Sequence, residues 1–314
     1  MPFPYKTVLM IGATSGIGLA LAERMIENGV FVIGVGRRKE RLDAFVAKHG
    51  ADKAATSQLD ITELDKIAGW CKDERGETKL TREARPRLSI SITAQHPGID
   101  AVFLNAGVQC MLDFTRPEAI DAGRVRAELA TNYGAAVELA AGLLPQLRGV
   151  GPRPAALATV TSGAALVPMA RGGNYSASKA ALHALTWSVR AQLARDPAWA
   201  HLRVLEILPP AVRTELHARQ PELVAAGQAD IGMPLPDFVD ELWAALDAPG
   251  DHPPDEIPVG PVARYFDAVE APRRAVFARM AGLVQVPRGP EDLRLREGPD
   301  GAWAWQSAKT PGSQ

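Results

Sequence analysis

Apolar residues along this chain recur in two periods that take turns. Short runs rich in apolar residues occupy residues 7–11, 30–35, 99–104, 157–161, 203–208 and 257–260, the first with the pattern of a strand buried on both faces, and residues 54–59 read as a weaker third strand. Between them apolar positions return at helical spacing, as Ile17, Leu21, Met25 and Ile26 do after the first run and Leu182, Leu185, Val189 and Leu193 do later. Asn28-Gly29 is a left-handed stop for the first helix, and a second spans residues 40–49. Thr62 reads as the N-cap of a short helix through Trp70. Thr115-x-x-Glu118 has the form of a capping box and predicts a long helix with a buried stripe of Val125, Leu129, Asn132, Ala136, Leu139 and Leu143. Strands and helices in alternation predict an α/β fold, as one large domain or two small ones.

Two stretches carry no period. Residues 72–95 include the charge-dense run KDERGETKLTREARPRL and read as an inserted, mobile surface loop. Residues 284–314 are rich in Gly, Pro and charge and read as a poorly ordered tail in which Trp303 and Trp305 have no assigned place.

Composition narrows the classes. An apolar content of 46% over 314 residues can bury a core. A net charge of −1 gives no electrostatic case for nucleic acid or an anionic membrane. No apolar run reaches the roughly 18 residues of a membrane span. Only residues 1–6 precede the first strand, too few for a signal peptide, so a cytoplasmic location is expected. Cys71 and Cys110 make no C-x-x-C or metal spacing and read as small buried residues in a reducing compartment. His183, His201 and His217 likewise have no partner at metal spacing; each reads as a surface or satisfied polar residue.

Chemistry concentrates at the carboxyl ends of the predicted strands. After the first, IGATSGIG places Gly12, Gly16 and Gly18 where a sharp turn, close approach to a ligand and tight packing of helix on sheet require them. The turn, with Thr14, Ser15 and Ile17, aims backbone N–H groups and a helix dipole at one point, where a pyrophosphate belongs. An ordinary strand-to-helix turn is the plainer alternative. After the second strand comes Gly36-Arg37-Arg38-Lys39, with no carboxylate until Glu40. An NAD site would use an acid there and a 2′-phosphate an arginine, so Arg37 and Arg38 read as a phosphate clamp favouring NADP(H) over NAD(H). A solvated basic loop is the alternative. Asp60 ends the third strand as a candidate adenine contact or a capping carboxylate. Asn105-Ala106-Gly107 closes the fourth with residues small enough for backbone to approach a ribose and nicotinamide. Asn132 puts an amide among apolar neighbours, either a satisfied structural group or part of a polar relay. Ser162 ends the fifth strand, and Tyr175 and Lys179 share a helix face one turn apart. An ammonium so placed favours the phenolate, the tuning a general acid/base needs, while Ser162 can orient the same substrate oxygen.

Taken together, IGATSGIG at residues 11–18, NAG at 105–107, Asn132, Ser162 and YSASK at 175–179 resemble the short-chain dehydrogenase/reductase family, classical type, over roughly residues 5–280. The resemblance implies a Rossmann-type, doubly wound, mostly seven-stranded parallel sheet with helices on both faces, forming a single domain over residues 1–283. It implies catalytic Asn132, Ser162, Tyr175 and Lys179, with Lys179 also on the nicotinamide ribose and Asn132 holding a water. Val212 and Thr214 match the positions that hold the nicotinamide amide, although Pro210 stands where glycine is usual and lacks an N–H. Ile11 replaces a threonine that would contact the Asn105 turn, which should loosen it. Residues 214–250 resemble a substrate lid and, with residues 166–171, should line an apolar pocket. The implied activity is NADP(H)-dependent hydride transfer to or from a small, largely hydrophobic ketone, aldehyde or secondary alcohol, in a homodimer or homotetramer. The competing reading is a non-catalytic NADP(H)-binding sensor or scaffold on the same fold, because function resides in the site rather than the fold.

Overall fold

Strands that are apolar at consecutive positions need cover on both faces. The computed structural model of the chain describes residues 3–71, 91–218, 220–228, 230–250, 252–283, 293–297 and 303–307. Strands β1 (Thr7–Ile11), β2 (Phe31–Gly36), β3 (Ala54–Gln58), β4 (Ala101–Leu104), β5 (Ala155–Val160), β6 (Leu202–Leu208) and β7 (Glu256–Pro258) form one sheet in the order β3-β2-β1-β4-β5-β6-β7. Each neighbouring pair is parallel. The helices are α1 (Gly16–Glu27), α2 (Lys39–His49), α3 (Leu64–Cys71), α4 (Ile92–Gln95), α5 (Ala122–Leu129), α6 (Ala135–Arg148), α7 (Gly173–Leu193), α8 (Glu215–Ala218), α9 (Pro221–Ala225), α10 (Leu235–Leu246) and α11 (Ala263–Leu283).

Pleating sends alternate residues of each strand to opposite sides. Val8 and Met10 meet Leu21 and Met25 of α1 and Phe238 and Leu242 of α10 in one core. Leu9 and Ile11 meet Ile67 of α3, Leu139 and Leu143 of α6 and Leu182 of α7 in the other. The sheet is therefore Rossmann-type and doubly wound. Its order reverses between β1 and β4, and a crevice opens beyond their carboxyl ends where ligands bind in such sheets.

The chain divides into two compact units, Met1–Asp267 and Ala268–Gln314. The division falls within α11, ahead of residue 283 where the sequence reading ends the domain. In the second unit β8 (Leu293–Glu297) and β9 (Trp303–Ser307) pair antiparallel, in a region given no element from sequence. Their sequences, LRLRE and WAWQS, begin with the two-residue alternation that marks such strands.

Several local expectations change. The long helix opens not at Thr115 but at Ala122, where Asp121 Oδ1 accepts from the Gly123 and Arg124 N–H groups. Thr115 instead donates its hydroxyl to Asp113. The predicted stripe fails at Leu129, which is 43% exposed, while Glu128 takes the buried position. A π turn over Ala130–Gly134 supplies the reason, since its extra residue shifts the phase of everything before it. Thr62 is no N-cap: its N–H and hydroxyl both donate to Asp60 Oδ1, and α3 starts at Leu64. Within the expected loop, Ser91 caps α4 and Ile92 is fully buried; residues 72–90 lie outside the described residues. The helix α10, expected within the lid, buries Phe238, Leu242 and Leu246 in the core. Among the described residues no helix is long and apolar enough to cross a membrane.

Candidate active site

The glycine turn is built by close approach. Gly12 has φ of 91° and a Cβ there would lie 2.8 Å from Ala106 Cα; a Cβ on Gly18 would lie 2.3 Å from the Gly12 carbonyl oxygen and 2.2 Å from Asn105 Nδ2. Gly16, at φ 57°, faces Thr214, whose Cβ would be 3.3 Å from an added methyl. Ile11 offers no hydroxyl to the Asn105 turn. That turn is held instead by the Asn105 N–H on the Ile11 carbonyl and by Asn105 Nδ2 on the Gly12 carbonyl, each 3.2 Å.

A cavity of about 840 Å³ follows the sheet's carboxyl edge. Its lining includes Arg37, Arg38 and Asp60 from the ends of β2 and β3, Thr14, Ser15, Gly16, Ile17, Asn105, Ala106 and Gly107 from the ends of β1 and β4, Ser162, Tyr175 and Lys179 from β5 and α7, and Val212 and Thr214 from the chain after β6. Of the residues picked from sequence, Gly18 and Asn132 stand just behind this wall. Val167, Pro168, Met169, Leu216 and Val262 add apolar surface to the cavity. Among the described residues of the expected 214–250 lid, only 214–217 reach the cavity.

The two arginines differ. Arg38 Nη2 donates to Thr14 Oγ1 at 2.7 Å and to Ser15 Oγ at 2.8 Å, and Nη1 to Glu215 Oε2 at 3.2 Å. Arg37 has a 57% exposed side chain 3.9 Å from Asp60. Burial works against ionisation of Asp60, but the Thr62 bonds and Arg37 outweigh it and hold the carboxyl below its ordinary value. Arg41, not picked out from sequence, reaches Thr14 O at 3.1 Å and Glu215 Oε1 at 2.6 Å.

Asn132 is buried with its amide satisfied: Oδ1 accepts from the Val108 N–H at 2.8 Å, while Nδ2 donates to Val108 O and Ser178 Oγ. It thereby ties the chain after Gly107 to α7. Added to Gly107, a Cβ would lie 3.3 Å from Asn132 Oδ1 and 3.4 Å from Lys179 Nζ, which keeps the two groups beside one small-residue turn.

Tyr175 and Lys179 do share a face of α7, with Nζ 5.7 Å from the phenol ring centroid. Their electrostatics reverse the sequence expectation. Burial pushes the Tyr175 hydroxyl up to about 12, partly offset by its Ser162 bond, and Glu128 raises it further. Burial also lowers Lys179 to about 8, against the pull of Glu128. Lys179 Nζ donates to the Val160 carbonyl at 2.8 Å. In the protein alone, burial is therefore the dominant influence on the phenol.

Sequence reasoning also missed Glu128. Fully buried, it accepts from the Cys110 N–H at 2.9 Å and from Asn174 Nδ2. Burial is the main cause of its raised pKa. Its signal was a polar residue four positions before Asn132, on the same helical face. His183 Nδ1 lies 2.8 Å from Glu206 Oε1, and His201 Nε2 is 3.0 Å from Leu147 O. His217 is buried at the edge of the cavity. Cys71 is fully buried, whereas Cys110 is only half-buried.

Comparison with known proteins identifies the family and the fold. Residues 6–223 match the family model described as short chain dehydrogenase. The chain is 33% identical over 222 residues to the uncharacterized oxidoreductase DltE of Bacillus subtilis, covering 70% of this chain and 76% of that protein. It is 28% identical over 186 residues to the NADP-dependent 3-hydroxy acid dehydrogenase YdfG of Salmonella typhi, covering 59% and 66%. Among solved structures, a short chain dehydrogenase from Burkholderia cenocepacia in complex with NADP superposes with a TM-score of 0.64 at 26% identity, covering 89% of this chain and 99% of that one. A Burkholderia phymatum short chain dehydrogenase/reductase in complex with NAD, at 17% identity and a TM-score of 0.66 over 92% and 99%, shares the fold. With the sheet, the glycine turn and the Ser162, Tyr175 and Lys179 cluster in one cleft, the chain belongs to the short-chain dehydrogenase/reductase family and is an oxidoreductase.

Proposed function

We propose that the protein transfers a hydride between NADP(H) and a small, largely hydrophobic ketone or aldehyde, or the matching secondary alcohol, with Tyr175 as general acid/base. The observation that carries this reading is the convergence of Ser162, Tyr175 and Lys179 on the cavity that also holds the glycine turn. The residues fit a dinucleotide: the turn has no room for side chains at Gly12 and Gly18, and the cavity is long enough to run from a basic end to a phenol. The N–H groups of Gly16 and Ile17 at the start of α1 would hold the pyrophosphate, with Gly12 shaping the turn beneath it, Arg37 and Arg38 the 2′-phosphate, Asp60 the adenine amine, and Asn105, Lys179, Val212 and Thr214 the nicotinamide half. Bound there, NADP(H) supplies or accepts the hydride.

Tyr175 then donates its proton to the carbonyl oxygen, and Ser162 bonds the same oxygen and orients it. A hydroxyl held near 12 keeps its proton across neutral pH, so the site is set for reduction; oxidation requires Tyr175 to lose that proton and is favoured by rising pH. Lys179, lowered to about 8, remains largely charged at pH 7 and opposes the negative charge that develops on the phenol. Val167, Pro168, Met169, Leu216 and Val262 favour an apolar substituent on the carbonyl carbon.

The NADP-dependence of YdfG and the NADP in the Burkholderia cenocepacia structure support the choice of cofactor. NADPH oxidation with a panel of hydrophobic ketones and aldehydes tests the whole reading. Tyr175→Phe should lower kcat by at least about 100-fold, the scale of general acid catalysis, with the NADPH Kd within a few-fold of wild type. Turnover that survives this change refutes the role of Tyr175, and cofactor binding without turnover of any carbonyl favours the sensor.

A further inference from the structure

The arginine nearest the glycine turn already holds an anion of this chain. Glu215, the first residue of α8, places Oε2 3.2 Å from Arg38 Nη1 and Oε1 2.6 Å from Arg41 Nη1. The same two arginines grip the turn, Arg38 through the Thr14 and Ser15 hydroxyls and Arg41 through the Thr14 carbonyl. One carboxylate thus spans two guanidinium groups at the basic end of the cavity, and it sits immediately after Thr214, which faces Gly16.

A 2′-phosphate entering this end would need guanidinium donors of the kind that Glu215 holds, and it would meet the Glu215 charge. We propose that Glu215 is a specificity-determining residue that acts as an internal competitor of the 2′-phosphate. A dinucleotide carrying that phosphate gains Arg38 and Arg41 by displacing the carboxylate, which also releases α8 from the loop after β2; a dinucleotide lacking it leaves the latch closed. The proposal rests on the assignment of NADP(H) to this cavity, and it adds a carboxylate from α8 to a selection otherwise made by arginines.

The test is the Kd of NADPH and of NADH, by fluorescence titration at fixed ionic strength, for the full chain and for Glu215→Gln, Arg38→Ala and Arg41→Ala. Glu215→Gln should tighten NADPH by about three- to tenfold, the range for loss of one or two half-exposed charge interactions, and leave NADH within about twofold. Hydrogen exchange over residues 214–218 should be faster in the wild type with saturating NADPH than with NADH, and Glu215→Gln should remove that difference. Weaker NADPH binding by Glu215→Gln, or an equal change for both cofactors, overturns the proposal. The assignment beneath it fails separately, if Arg38→Ala and Arg41→Ala each weaken NADPH and NADH alike. Arginine variants selective for NADPH beside a non-selective Glu215→Gln leave the assignment standing and sink the competitor.

Discussion

Replacing Lys179 by Met should make the ligand-free protein more stable while destroying its activity. Lys179 is only 3% exposed, and burial lowers its pKa from 10.5 to about 8. That depression corresponds to roughly 3 kcal/mol of folding free energy lost to keeping the ammonium charged at neutral pH. Met retains an unbranched apolar stem, but the Val160 carbonyl loses its donor, which costs about 1–2 kcal/mol. The net gain is about 1–2 kcal/mol at pH 7. Its pH dependence follows from the sign of the shift. Below about 8 both folded and unfolded chains carry the lysine proton and the full penalty stands. Between about 8 and 10.5 the unfolded chain binds the proton and the folded one has released it, so wild-type stability rises with pH. Urea unfolding of both proteins at pH 7 and at pH 9.5 is the assay. The variant should have the higher midpoint at pH 7, and its advantage should shrink or reverse at pH 9.5. A variant less stable at pH 7, or one offset by the same amount at both values, would show that the ammonium carries no desolvation strain.

Two further substitutions probe the frame that holds the site. Gly18→Ala places a methyl against the Gly12 carbonyl and the Asn105 amide, neither of which can retreat without opening the turn, so a loss of about 1–3 kcal/mol and weaker dinucleotide binding are expected; unchanged thermal stability would contradict the tight approach. Asp100→Ala removes the carboxylate that accepts from the Lys6 and Thr7 N–H groups at the start of β1. Leaving those donors unpaired should cost about 1–3 kcal/mol, and a urea midpoint equal to wild type would disprove the anchoring role.

What could be read from the sequence was what depends on near neighbours. Strand runs, the glycine turn and the Tyr175 and Lys179 pair are set by residues within a turn or two of one another, and each stands where its pattern places it. Glu128 escaped because the π turn at Ala130–Gly134 changes the helical phase, and an unbroken period assigns its position to Leu129. Glu215 escaped for another reason: Arg38 and Arg41 lie 177 and 174 residues away from it in sequence, so only the closed sheet brings them together. Asp121 took over the capping role from Thr115 because several polar residues in a row can each serve, and the choice depends on where the following helix meets the sheet.

The reversal at Tyr175 follows from the same limit. Spacing of four residues guarantees that a phenol and an ammonium are neighbours, and in water that would acidify the phenol. How far the attraction counts depends on what surrounds both groups, and the surroundings come from α5, α7, β5 and the chain after Asn105, which one helix cannot reveal. Here they exclude water from both side chains and add the Glu128 charge, which raises the phenol further while drawing the lysine back up. The phenol is poised to hold its proton, while the lysine gives its own up more readily than usual. Whatever acidifies Tyr175 for oxidation must therefore arrive with the ligands, so raising the affinity for the oxidised dinucleotide and lowering the apparent pKa of the oxidative rate should be two readings of one interaction. Titrating the alcohol-oxidation rate against pH in wild type and in Lys179→Arg, which keeps the charge on a bulkier group, should show the apparent pKa and the oxidised-cofactor Kd moving together; a pKa that moves while the Kd stays fixed would separate them and assign the tuning to the protein alone.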